Sequence, residues 1–183
     1  MTTSAYTASI SEIPPRARTL SWQEWQELQT RVDSLTARIE QAAAKDEVCR
    51  KLTAVPGIGP LTATALVSAV ADGSMFRRAR DLSAWLGLVP QQRSTGGRTK
   101  LLGISKRGNG YLRRLLVVGA QSARLHLNRE RHARLGGWLT RLEQRAHRNT
   151  VVVALANKLA CTAWVILRQG REYDPAFGPP VEA

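Results

Sequence analysis

In SWQEWQELQTRVDSLTARIEQAAAKDEVCRKL, which runs from Ser21 to Leu52, apolar side chains return at alternating steps of three and four: Trp25, Leu28, Val32, Leu35, Ile39 and Ala42. That rhythm keeps one stripe of a helix apolar and predicts a heptad seam, fit for a helical hairpin or a short coiled coil. The same stripe would equally serve a single amphipathic helix lying on its own domain. Ser21 and Glu24 stand at capping-box spacing near its start. Residues 1–18, with Pro14 and Pro15 and few apolar positions, read as a disordered leader, so the heptad helix is expected over 19–48.

Two further helical patterns flank the turn Pro56-Gly57-Ile58-Gly59 in LTAVPGIGPLTATALVSAV. Leu52 and Val55 precede it, and Ala63, Ala65, Leu66 and Val70 follow at helical spacing. Glycine permits backbone conformations that a side chain forbids, so a tight reversal is expected there. The helix beginning near Pro60 would direct its unpaired N–H groups out of the turn, which makes an anion site from backbone alone. This is the helix-hairpin-helix pattern, with Gly57, Ile58 and Gly59 as candidate phosphate contacts. A plain helix-packing turn is the alternative.

A third helix is expected from about Ala79 to Leu86, stopped by Gly87 and Pro90. GYLRRLLVVGAQSARLHL then reads as a helix with Leu112, Leu115, Leu116 and Gly119 inward and Arg113 and Arg114 outward. A last helix, about Asn149 to Arg168, carries Val152, Leu155, Leu159, Trp164 and Leu167 as core. Residues 171–183 read as a tail, and strand patterns are scarce. The expected fold is all-α: a helix-hairpin-helix domain over 49–170, a long N-terminal heptad helix, and an ordered, glycine-rich basic loop between helices.

That loop, RSTGGRTKLLGISKRGN from Arg93 to Asn109, holds five basic residues, four glycines and no acid. It lies inside a wider window, Leu82 to Arg129, that has no Asp or Glu at all. The chain of 183 residues has a formal net charge of +13 and a pI near 11.1, and a balance that basic favours a polyanionic partner, nucleic acid before membrane. No run is read as long enough to span a bilayer, and the N-terminus lacks the order of a signal peptide. Cys49 and Cys161, alone and far apart, suit a reducing cytoplasm. With 43% hydrophobic residues the chain can bury a core, which excludes wholesale disorder.

Hydrolytic nucleases hold metal with clustered carboxylates. Asp72 and Asp81 are the acids near the middle, each better suited to capping a helix, so a two-metal nuclease is not expected from this chain alone. His126, His132 and His147 have no partner at metal-ligand spacing. A base-excising enzyme with Asp81 as its acid is disfavoured, because RARDLSAW is amphipathic helix rather than the approach to a base pocket. A nucleophilic hydroxyl remains. Ser94 is flanked by Arg93 and Arg98, while Thr95, Gly96 and Gly97 would let a phosphate approach the backbone, although STGG is also an ordinary turn.

The ordered blocks LTAVPGIGPLTATALVSAV, FRRARDLSAWLGLVPQQRSTGG and GISKRGNGYLRRLLVVGA resemble the C-terminal transposase domain of the bridge-RNA-guided serine recombinases, insertion-sequence relatives of the Piv-type DNA invertases. The resemblance runs from about Cys49 to Gly170. It implies that Ser94 is a nucleophile forming a phosphoserine link to DNA, with Ser105 the rival hydroxyl and better read as a turn residue. It implies nucleic-acid contact for Arg93, Arg98, Lys106 and Arg107; Lys100 and, on the basic helix beyond, Arg113 and Arg114 are further candidate contacts. Family members begin with a RuvC-like domain whose acids bind Mg²⁺. No such domain is read ahead of the heptad helix, so the chain is expected to hold no cofactor itself. It would work with DNA, a structured guide RNA, and a second copy or a RuvC-like partner joined through the heptad helix, in a bacterial cytoplasm. Truncated remnant, split enzyme and non-catalytic binding module stay open as alternatives.

Overall fold

A computed structural model of the chain describes residues 15–95 and 98–175, with side chains over 21–92 and 102–175. Among these, seven helices and one hairpin follow in order: α1 Pro15–Lys45, α2 Glu47–Thr53, α3 Pro60–Val70, α4 Ala79–Trp85, β1 Pro90–Thr95, β2 Arg98–Ile104, α5 Gly110–His126, α6 Ala133–Arg145 and α7 Arg148–Gln169. The all-α expectation holds. The chain divides into two compact units, one up to Glu40 and one from Gln41 onward.

In the first unit α1 is a continuous helix beginning at Pro15, inside the segment expected as leader. Its seam is open: Trp25, Leu28, Val32 and Leu35 are all exposed, as is Trp22, whose ring stacks on Trp25 at 5.0 Å. The heptad segment does not run unbroken to 48. Asp46 takes an extended backbone and its carboxylate accepts the Cys49 N–H at 2.7 Å, so one helix stops and the next is capped at the same residue.

The second unit is built around α7. Val151, Val152, Leu155, Ala156, Leu159, Ala160, Ala163, Ile166 and Leu167 are all buried, an apolar surface too wide for one neighbour. α2, α4, α5 and α6 all pack on it, while α3 packs on α2 and α5. Ala156, Ala160 and Ala163 leave room for those neighbours to approach, and Leu155 and Leu159 fill the space between them. Burying each such leucine is worth about 1.5–3 kcal/mol. His147 caps its start through Nδ1, which accepts the Asn149 N–H at 3.2 Å, and Gly170 ends it with φ +65°. Contrary to the sequence expectation, α7 is long and apolar enough to cross a membrane by length and composition, but half of its most apolar stretch is buried in the unit.

Two elements differ from expectation. The loop after Pro90 is an antiparallel hairpin, with Gln92 opposite Leu101, Arg93 opposite Lys100, Ser94 opposite Thr99 and Thr95 opposite Arg98. Two glycines between Thr95 and Arg98 is the spacing a tight hairpin uses. A two-stranded ribbon held by ladder hydrogen bonds needs no alternating apolar face, so its sequence carries no strand period. α6 is the second, a helix that the pair Gly136-Gly137 and a high arginine content conceal.

Candidate nucleic-acid interface

The turn between α2 and α3 is seated on α5, backbone against backbone. Gly57 has φ +90°, and a Cβ there would stand 2.6 Å from the Gly119 carbonyl oxygen. A Cβ on Gly119 would stand 1.9 Å from the Gly57 carbonyl oxygen. Neither position admits a side chain. Gly59, the N-cap of α3, has no such neighbour: a Cβ there would meet nothing within 4 Å, so the helix start faces open space. Gly59 offers no capping side chain and Pro60 has no N–H, which leaves the amides of Leu61 and Thr62 as the first-turn donors without an intrahelical acceptor. Ile58 departs from the expected contact set. Its side chain is buried and its N–H is spent on the Val55 carbonyl at 3.0 Å.

The second element is the strand exit, Ser105 to Asn109, locked against Trp85 to Val89. Ser105 N–H donates to Val89 O at 2.9 Å, Lys106 N–H to Gly87 O at 3.1 Å, and Asn109 N–H to Trp85 O at 3.3 Å. Gly87 (φ +71°) and Gly108 (φ +88°) make this crossing possible. A Cβ on Gly87 would lie 2.1 Å from Arg107 O, and one on Gly108 would lie 1.8 Å from Trp85 O. Lys106 itself holds φ +56°, a conformation a lysine rarely adopts unless its surroundings dictate it. Asn109 then caps α5, its Oδ1 accepting the Leu112 N–H at 3.0 Å.

Arg113 does not lie on the outward face with Arg114. It is half-buried, and its Nη1 donates to Leu86 O at 2.9 Å and to Arg107 O at 3.4 Å. One residue is 100° of helix, enough to turn Arg113 toward carbonyls at the crossing that need a donor while Arg114 stays in solvent. Lys106, Arg107 and Arg114 are exposed, and none has an ion-pair partner among the described residues. The crossing therefore presents bare cations on a backbone fixed from beneath.

The backbone of Ser94 lies in β1, between Arg93 and Thr95, and the hairpin leads into the locked crossing within a few residues. Gly96 and Gly97 lie outside the described residues, as do the side chains of Arg93, Ser94, Thr95, Arg98 and Lys100. Gly110, where α5 begins, and Gly119, where the α2–α3 turn sits, are nine residues apart, roughly 13 Å along the helix. α5 thus carries both phosphate-binding candidates.

The carboxylates serve locally. Asp81 accepts the Arg78 N–H at 2.9 Å and Asp72 the Ser74 N–H at 3.0 Å, the capping and turn roles their positions suggest. Among the described residues no three His, Cys, Asp or Glu side chains are grouped to hold a metal ion. Burial pushes the Cys49 thiol up to about 11, so it is no nucleophile at neutral pH. Arg141, Arg145 and Arg148, outside the acid-free window, form a further exposed basic group that sequence reasoning passes over.

Comparison with known proteins finds similar transposases. The chain is 42% identical over 168 residues to the transposase for insertion sequence element IS1328 of Yersinia enterocolitica, covering 89% of this chain and 49% of that protein. It is 41% identical over 135 residues to the transposase for insertion sequence element IS1111A of Coxiella burnetii, covering 74% of this chain and 37% of that one. A pilin gene-inverting protein of Moraxella bovis is 29% identical over 125 residues, 67% of this chain and 38% of its own length. The chain spans half or less of these curated relatives. Residues 49–135, which hold the α2–α3 turn, the hairpin, the locked crossing and α5, match the profile described as Transposase IS116/IS110/IS902 family.

Proposed function

We propose that this domain binds DNA and carries out the strand-transfer step of transposition, with Ser94 as nucleophile. The observation that carries the reading is the crossing next to the Ser94 hairpin, where Gly87, Gly108 and Arg113 hold Lys106 and Arg107 exposed and unpaired. An uncompensated pair of cations on a pinned backbone suits a phosphodiester, which needs charge neutralised at a fixed point. In the step itself a bond forms between Ser94 Oγ and phosphorus as the bond from phosphorus to the leaving deoxyribose oxygen breaks. The serine proton is passed on, the leaving oxygen gains one, and the phosphoserine link keeps the bond energy for rejoining. The open first turn of α3 at Gly59 grips a neighbouring phosphate without reading a base.

Acids that bind Mg²⁺ would come from a RuvC-like domain outside this chain, and when bound the ion would neutralise charge developing at the phosphate. The exposed seam of α1 would pair with that partner or with a second copy. A structured guide RNA would choose the target, and the setting is a bacterial cytoplasm. The test mixes the chain with a nicked duplex, Mg²⁺ and a supplied RuvC-like domain. A protein–DNA adduct that survives denaturation and disappears in Ser94→Ala is expected. Salt-dependent binding without an adduct in the wild type would replace this reading with a non-catalytic binding module, for which the open amides at Gly59 are the supporting feature.

A further inference from the structure

A second one-sign stretch runs from Arg131 to Arg171, where eight Arg and Lys residues accompany a single acid, Glu143. The fold half-buries that acid and pairs it with two arginines. Glu143 is drawn inward by Arg124 at 3.3 Å from α5 and by Arg129 at 2.8 Å from the α5–α6 connection. Arg129 itself sits against Gly136, where a Cβ would come within 2.9 Å of the Arg129 Cβ. Leu135 and Leu139 face the core, and Trp138, Arg141 and Arg145, spaced i, i+3 and i+7, share another face of α6. Arg148 opens α7 just beyond. On α7, Lys158 holds its Nζ 5.0 Å from the centre of the Trp138 ring, adding a cation at the border of that face.

Arg141, Arg145 and Arg148 are exposed, and among the described residues none is in an ion pair. Like charges at i, i+4 repel, so Arg141 and Arg145 cost the isolated helix stability rather than adding it. A solvated helix face ordinarily interleaves signs; this one carries no acid, and Glu143, two residues from Arg141, is paired with Arg124 and Arg129 instead. The crossing cations sit at the first turn of α5, whereas α6 follows its last. With 17 residues α5 is about 25 Å long.

We propose that the Arg141–Arg145–Arg148 face is a second phosphate-backbone contact, which holds the DNA duplex at a point distinct from the Lys106–Arg107 crossing. It rests on the reading that the domain binds DNA, but not on Ser94 or on the crossing being a contact. The partner is duplex backbone rather than base edges, because three exposed arginines without ion-pair partners offer charge for phosphates rather than a donor–acceptor pattern for bases.

The test measures the slope of log affinity against log salt for the full chain on a duplex long enough to cover both faces, about 30 base pairs. Arg141→Gln/Arg145→Gln/Arg148→Gln is expected to lower the magnitude of that slope by about 2–3, at ~0.9 for each phosphate no longer neutralised. The reduction should add to that of Lys106→Gln/Arg107→Gln, as two independent contacts require. Removing the same charge from α1, as Arg31→Gln/Arg38→Gln/Lys45→Gln, should leave the slope unchanged. An unchanged slope in the α6–α7 variant overturns the proposal, and so does an equal drop in the α1 control. Weakened binding to phosphatidylserine vesicles with an unchanged duplex slope would reassign the face to membrane and also overturn it. If the Lys106/Arg107 variant alone shows no reduction, the crossing is not a contact and the α6–α7 face stands by itself.

Discussion

The carbonyl oxygens of Gly57 and Gly119 each occupy the space where the other residue's side chain would begin. The α2–α3 turn is thereby pressed onto the middle of α5, and no Cβ fits on either side. Gly119→Ala is expected to push the turn away and destabilise the domain by about 1–3 kcal/mol, as overpacked sites do. Chemical denaturation measures the loss. Gly59→Ala, two residues after Gly57 in the same turn, should cost far less, because its Cβ would meet nothing within 4 Å.

Arg113 is expected to matter for the crossing rather than as a phosphate ligand. Arg113→Lys keeps the charge but gives up the fixed guanidinium plane whose Nη1 donates to both Leu86 O and Arg107 O. In the DNA-free protein, amide exchange at Lys106 and Asn109, whose N–H groups donate to Gly87 O and Trp85 O, should accelerate, while exchange in the middle of α5 should not. Unchanged exchange at both amides would show that the crossing holds without its brace.

Lys106 separates stability from binding. A lysine at φ +56° carries strain of about 1–3 kcal/mol that glycine avoids, although glycine returns part of it as backbone entropy. Lys106→Gly should therefore leave thermal stability unchanged or raised and still weaken DNA binding. A variant that lost stability and kept full affinity would contradict both roles.

Acid should loosen the α5–α6 contact through Glu143. Burial pushes its carboxyl up, but the hydrogen bonds and charges of Arg129 and Arg124 outweigh burial and hold it below the ordinary carboxylate range. A group depressed in the folded state adds stability that is present above its unfolded value and is lost as pH falls through the folded one. Comparing thermal midpoints of wild type and Glu143→Gln across acidic pH should show a gap at neutral pH that closes as the carboxylate protonates.

The exposed seam of α1 makes a prediction about assembly. Leu28→Glu and Leu35→Glu place charge on two of its layers, at side chains already in solvent. Sedimentation of the full chain should show self-association in the wild type and its loss in the variant, with the second unit's denaturation unchanged.

Helical period alone located α3, α4, α5 and α7, because each lays an apolar stripe on a shared core and that stripe is written at steps of three and four. It also marked the glycine turn at Pro56-Gly57-Ile58-Gly59, since only a reversal accounts for two glycines between two such stripes. The acid-free window pointed to a polyanionic partner, and the ordered motif blocks resemble a transposase domain, a resemblance that makes Ser94 the expected nucleophile. Tertiary structure alone decided the rest. The hairpin at 90–104 is held by a backbone ladder, which any residues can form, so no side-chain period announced it. The direction of Arg113 depended on carbonyls that include one 27 residues earlier in the chain. Whether the basic window from Arg131 onward was a mixed surface or a cationic face depended on where its one acid, Glu143, was folded. Local periodicity records which side of an element is buried; only the packed chain determines which polar groups are left for a partner.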